Sequence, residues 1–120
     1  MTTNDIYVRK THTLQTIDAS GTVDSIAYDI GAMAIMGSFS LQLNVSGAGA
    51  SVDAFCLQSN DGTNFVVGNG VANICSNYPG VTDEDHELFG FTPLGARWMK
   101  IRLTETQAAA GSVEAHLAFS

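Results

Sequence analysis

Reactive chemistry needs side chains of the right kind at the right spacing, so the acidic run near residue 85 comes first. Asp83, Glu84, Asp85 and Glu87 place four carboxylates within five residues, with His86 among them. Carboxylates two apart could face one hard cation such as Ca²⁺. That ion takes six to eight oxygens in a shaped cage, and the twelve-residue loop with its closing Glu is missing. Asn60, Asp61 and Gly62 look faintly like such a loop and are better explained as a turn. Mutual repulsion makes a solvated loop the favoured reading of the acidic run. His12, His86 and His116 show none of the close-paired spacings of a zinc site. Cys56 and Cys75 are 19 apart and could form one bridge in an oxidising setting; the favoured reading is two small, reduced, buried side chains. No nucleophile elbow, phosphate loop or dinucleotide fingerprint is present. The expectation is therefore no enzyme, no metal and no cofactor.

The remaining distinctive chemistry lies on residues 97–104. Met99, Ile101 and Leu103 alternate with Trp98, Lys100 and Arg102. That is a strand with one face in a core. Trp and Arg are enriched at contact hot spots, so Trp98, Lys100 and Arg102 are the candidate subunit interface. The competing reading packs Trp98 under a loop of its own chain and leaves the two cations solvated. Ile6, Tyr7, Val8, Arg9 and Lys10 form a small apolar knot beside two cations. They predict an arm, residues 1–11, that orders against a neighbouring subunit or a shell. The rest, residues 12–120, reads as one domain.

These residues sit among elements of one kind. Charged side chains make up only 14% of the 120 residues, against about 25% in an average soluble domain, while apolar ones reach 45%. Residues 39–45 alternate cleanly: Phe39, Leu41, Leu43 and Val45 against Ser40, Gln42 and Asn44. Residues 52–58 are apolar on both faces and predict a central strand. Asp61 and Gly62 between apolar runs signal a hairpin. Residues 76–87 read as irregular, and a further strand is expected over 88–92. Residues 113–119 alternate again, and His116 is expected on an exposed or edge position. Strands 97–104 and 113–119 flank a loop and are expected to pair as a hairpin, with Met99, Ile101 and Leu103 facing inward beside Val113, Ala115 and Leu117. The prediction is an all-β chain, a single antiparallel β-sandwich or jelly roll of about eight strands.

The net charge of −7 and the lack of a basic run argue against nucleic-acid binding. No 18-residue apolar span predicts a membrane helix, and residues 1–10 lack the pattern of an export signal. Synthesis in a cytoplasm is the expectation.

Residues Gln58, Ser59, Asn60, Asp61, Gly62, Thr63, Asn64 and Phe65 are followed about 30 residues later by Gly95, Ala96, Arg97, Trp98, Met99, Lys100, Ile101, Arg102 and Leu103, then by a terminal strand. Together, over residues 39–119, they resemble small β-sandwich virion proteins of tailed bacteriophages, most like head decoration (cement) proteins. Phe65 stands where the pattern has Trp. The resemblance implies a homotrimer on the outside of the major capsid protein shell, made in the host cytoplasm. Residues 1–38 lie outside it, and the apolar knot Ile6 to Lys10 is the expected shell contact on its own residues. If residues 1–11 are that contact, a chain lacking them is expected to remain a folded oligomer and to lose shell binding. Tail, baseplate or fibre modules are the alternative within that class. A carbohydrate-binding jelly roll is the alternative outside it, with Tyr78 and Asn77 beside the acidic loop as its candidate site.

Overall fold

The structure, a computed structural model, describes residues 6–32, 38–79 and 86–119. Ten strands and no α-helix occur among them. They are β1 (Tyr7–Ile17), β2 (Thr22–Asp24), β3 (Tyr28–Asp29), β4 (Phe39–Ser46), β5 (Val52–Ser59), β6 (Val66–Val67), β7 (Cys75–Tyr78), β8 (His86–Phe91), β9 (Trp98–Glu105) and β10 (Gly111–Phe119). The expected sandwich is present with ten strands rather than about eight, because residues 22–29 and 66–78 contribute short extra ones. Most of the acidic run lies outside the described residues.

One sheet has the order β1-β10-β4-β8 and the other β2-β9-β5-β6, with β3 also on β9 and β7 also on β5. Every pairing is antiparallel. Period two decides which side chains enter the core. From β4 come Leu41, Leu43 and Val45, from β9 Met99, Ile101 and Leu103, and from β10 Val113, Ala115, Leu117 and Phe119, all buried. Burial of each Leu or Ile contributes about 1.5–3 kcal/mol. β5 lies inside its sheet with Val52, Ala54 and Cys56 in the core and Leu57 covered from the other side.

The expected β9–β10 hairpin is not formed. β9 pairs with β5, β2 and β3, whereas β10 lies between β1 and β4 in the opposite sheet. Both inward faces are as predicted, but they meet across the core instead of side by side. Glu105 makes this crossing possible. Its buried carboxylate accepts N–H bonds from Ser20, Ser51, Gln107 and Ala109 at 2.9, 3.3, 2.7 and 3.0 Å. Those bonds turn the chain out of the β9 layer. Gly111 then passes so close to Ser46 that a Cβ there would sit 2.5 Å from its carbonyl oxygen.

The boundary expected after residue 11 is not a break in the fold. From Tyr7 onward the arm is the first half of β1, with Tyr7, Val8, Arg9 and Lys10 opposite Phe119, Ala118, Leu117 and His116. Register shifts follow at Lys10/His12 and His12/Gln15. His116 is therefore on a central strand, pointing outward, 3.6 Å from Glu114.

Candidate interaction surface

The outer face of the β9 sheet holds Trp98, Lys100 and Arg102 where the alternation puts them, half-buried on the strand. Each has a partner in its own chain. Asp24 on β2 sits opposite Arg102 and takes its guanidinium through two bonds, 2.7 and 2.9 Å. The same carboxylate lies 3.4 Å from the Lys100 ammonium. The Arg102 bond, helped by both positive charges, holds the Asp24 carboxyl below its usual range. Lys100 also stands over the Phe65 ring at 4.9 Å. Trp98 lies under the turn at residues 59–64, where a Cβ on Gly62 would come 3.2 Å from the indole nitrogen. Gly62 also has φ +75°, so its lack of a side chain is required twice. Arg97 stacks over Trp98 at 5.6 Å and grips Asp29 with Nε and Nη2.

That turn is organised by two side chains. Ser59 Oγ accepts from the Asp61 and Gly62 N–H groups and donates to Asp61 Oδ1. Asp61 Oδ1 accepts from Thr63 and Asn64, which pushes its carboxyl well below the ordinary value. A cleft of about 410 Å³ opens beside it, lined by Gln58, Asn60, Asp61, Asn64, Val66 and Leu94 among others. Its polar walls serve the fold. Gln58 clasps the Leu94 backbone with both ends of its amide, at 2.6 and 2.9 Å, and Asn60 Oδ1 accepts from Arg97 N–H.

The outer face of the other sheet is built differently. Across β1, β10, β4 and β8 the outward rungs run Val8, Ala118, Ser40, Gly90 and then Lys10, His116, Gln42, Leu88. Most of these are small or uncharged. On this face the Lys10 ammonium and the His116 ring nitrogen each lie 3.6 Å from the Glu114 carboxylate. Leu88 is 65% exposed and Val8 55%. On the inward side of the same end, Tyr7, Phe119, Phe39 and Phe91 make a row of rings reaching from edge to edge, with centroids 5.7, 6.1 and 5.6 Å apart.

Sequence reasoning missed two polar residues. Glu105 continues the inward phase of Met99, Ile101 and Leu103, so a carboxylate in step with the core was its signal. Burial by itself raises its pKa, and the four backbone bonds outweigh that and bring it down to about 2. His12 is buried because the irregular register of β1 turns it inward. Its Nε2 donates to the Val23 carbonyl at 3.1 Å, tying β1 to β2, and burial pushes its pKa down. No periodicity announces a bulge.

Among the acidic run, only His86 and Glu87 are described, both exposed on β8. Among the described residues, no group of three or more His, Cys, Asp or Glu could hold a metal ion, and no helix is long and apolar enough to cross a membrane. Cys56 and Cys75 are free thiols, raised to about 12 and about 11 by burial. Tyr78, the aromatic of the expected glycan site, is 7% exposed and packs edge-on against Phe89 at 5.1 Å. It presents no face to a sugar, which corrects that expectation.

No family model and no curated protein sequence matches the chain. Its fold is similar to those of solved virus-particle chains. One is the structure of infectious bursal disease virus, Gx strain, with TM-score 0.59 and 12% identity over 96% of this chain and 32% of that one. Another is the VP2 subviral particle of infectious bursal disease virus, with TM-score 0.61 and 14% identity over the same shares. The Gt strain of that virus gives 0.59 and 13%. The chain thus spans about a third of the length of those it matches. At such identities the likeness is one of fold.

Proposed function

We propose that this chain is a structural protein of a virion. The finer form of the proposal is a decoration protein that binds the outside of the major capsid protein shell of a tailed phage as a homotrimer. The observation that carries it is the outer face of the β1-β10-β4-β8 sheet, a broad, sparsely charged β surface with apolar side chains exposed at its margins. Such a surface loses little hydration when covered by another protein. Support also comes from a fold shared with virus-particle chains over 96% of this sequence. A decoration protein gains affinity by spanning several shell subunits at once, so modest contacts per copy suffice.

Shell contact in this reading uses Ile6, Val8 and Lys10 together with the outward residues of β10 and β4. Deleting residues 1–11 is no longer a clean test, since it removes Tyr7 from the ring row and half of β1. Gln42→Arg, at the exposed centre of that face, is the better variant. Co-sedimentation with expanded shells lacking decoration should show binding by the wild-type chain and at least a tenfold loss for Gln42→Arg at unchanged melting temperature. Wild-type protein that does not sediment with shells sinks the decoration reading. Density for the chain in the tail by cryo-EM would move it to the tail, baseplate or fibre alternative.

A further inference from the structure

We infer that copies of this chain join edge to edge, with β1 of one copy pairing antiparallel to β8 of the next, so that their four-stranded sheets run on into one another around a ring. This rests on the reading of the chain as a self-associating virion protein, and names the surfaces that join.

Four features converge on these two edges. The first is length. Among the described residues, β1 has 11 and β8 has 6, whereas the outer strands of the other sheet, β2, β3, β6 and β7, have 3, 2, 2 and 4. Short edge strands are a common protection against pairing, and the β1-β10-β4-β8 sheet lacks it. The second is where apolar side chains remain in water. Ile6, Val8 and Leu14 lie at or on β1 and Leu88 lies on β8, all at least 55% exposed, while the central strands β10 and β4 contribute no exposed large apolar side chain. Val66 on β6 and Ile26 between β2 and β3 are as exposed in the other sheet, but the strands there have only two or three residues. The third is direction. Four antiparallel strands leave the two outermost running oppositely, so a head-to-tail neighbour brings β1 antiparallel to β8 with no reversal of either copy.

The fourth is register. β1 is regular over Tyr7 to Lys10, before its first shift, and those residues lie on the same rungs as Phe91 to Leu88. Continuing the rungs sets Tyr7 of the next copy beside Phe91, which prolongs the row of rings. Val8 of that copy then meets Gly90, and Lys10 meets Leu88. Glu87 falls diagonally across from Arg9 of the next copy, a favourable pairing in a chain of net charge −7. Backbone N–H and C=O groups make the join, so the outward side chains of Val8 and Lys10 stay on the shared outer face. The same residues serve both contacts through different atoms.

Disulfide trapping tests the pairing in the full chain. Val8 and Gly90 share a rung across three strand spacings, about 14 Å within one copy. A disulfide spans at most about 7 Å between Cα atoms, so no bridge can close inside a chain. Val8 is exposed and a side chain at Gly90 meets only the Phe39 carbonyl oxygen, at 4.0 Å, so both sites accept cysteine. In a Cys75→Ser background, Val8→Cys with Gly90→Cys should give, on mild oxidation, a covalent ladder ending at the mass found by light scattering, a trimer. Lys10→Cys with Leu88→Cys, on the next rung, should do the same. Each single variant should run as a monomer on a denaturing non-reducing gel. Three results overturn the inference. They are dimers from Val8→Cys alone, a monomeric wild-type mass at all concentrations, or no bridges in double variants that keep the wild-type mass and melting. Shell binding without bridges defeats the edge pairing and leaves the decoration reading standing. Bridges in the double variants together with wild-type protein that ignores shells do the opposite.

Discussion

The two outer faces of the sandwich carry opposite kinds of surface. On the β9 face the aromatic and the cations of β9 are answered from within the chain: Arg102 and Lys100 by Asp24, Lys100 again by Phe65, Trp98 by the turn around Gly62. On the β10 face the side chains are plainer and less covered, with Ser40, Gln42 and Ala118 at its middle and Val8, Leu88 and Gly90 at its sides. The more conspicuous residues therefore hold the fold together, and the less conspicuous ones form the more open surface. An aromatic between two cations is a good docking surface only while its charges lack partners. A partnered charge must give up that interaction before it meets anything else.

Substitutions on either side of this contrast should separate stability from binding. The largest effect is expected at Ile101, which is fully buried between the two faces. Ile101→Asp places an unpaired carboxylate there, at a cost above about 4 kcal/mol, and should leave no cooperative melting transition by circular dichroism. A soluble, cooperatively melting Ile101→Asp protein would mean that the faces of β9 are reversed.

Glu105 comes next. Glu105→Leu leaves four backbone N–H groups without their acceptor and should lower stability by about 3 kcal/mol in urea titrations. Its folded pKa lies below its unfolded one, so its stabilisation is complete above about pH 4.5 and drains away as the pH falls toward 2. Glu105→Gln should flatten that acid limb of the stability curve. An unaltered limb would show that the carboxylate does not anchor the crossing.

Asp24 is the hub of the self-covered face. Asp24→Ala leaves Lys100 and Arg102 side by side on one strand and should cost about 1 kcal/mol, less at 1 M salt. If the loss is absent at low salt, the face is not held by Asp24, and Trp98, Lys100 and Arg102 return as an interface. The smallest effect on stability belongs to the other face. Gln42→Arg should shift stability by less than about 0.5 kcal/mol, as exposed substitutions do, while shell binding falls. A large stability loss from Gln42→Arg would show that this face is already engaged within the chain.

Residue pattern alone was enough for the class of fold, the inward residues of β4, β9 and β10, and the turn at Asp61 and Gly62. Alternation reports which side of a strand meets water, and turn chemistry reports where φ must be positive. It could not report which strands are neighbours. Two adjacent strands with a loop between them suit a hairpin or a crossing equally. The bonds that hold the crossing, from Ser20, Ser51, Gln107 and Ala109 to Glu105, come in part from residues far away in the chain. Nor could it show that Lys100 and Arg102 are matched by Asp24, about 80 positions away. Which charges have partners is set by contacts between residues distant in the chain, and those exist only once the two layers have closed on each other.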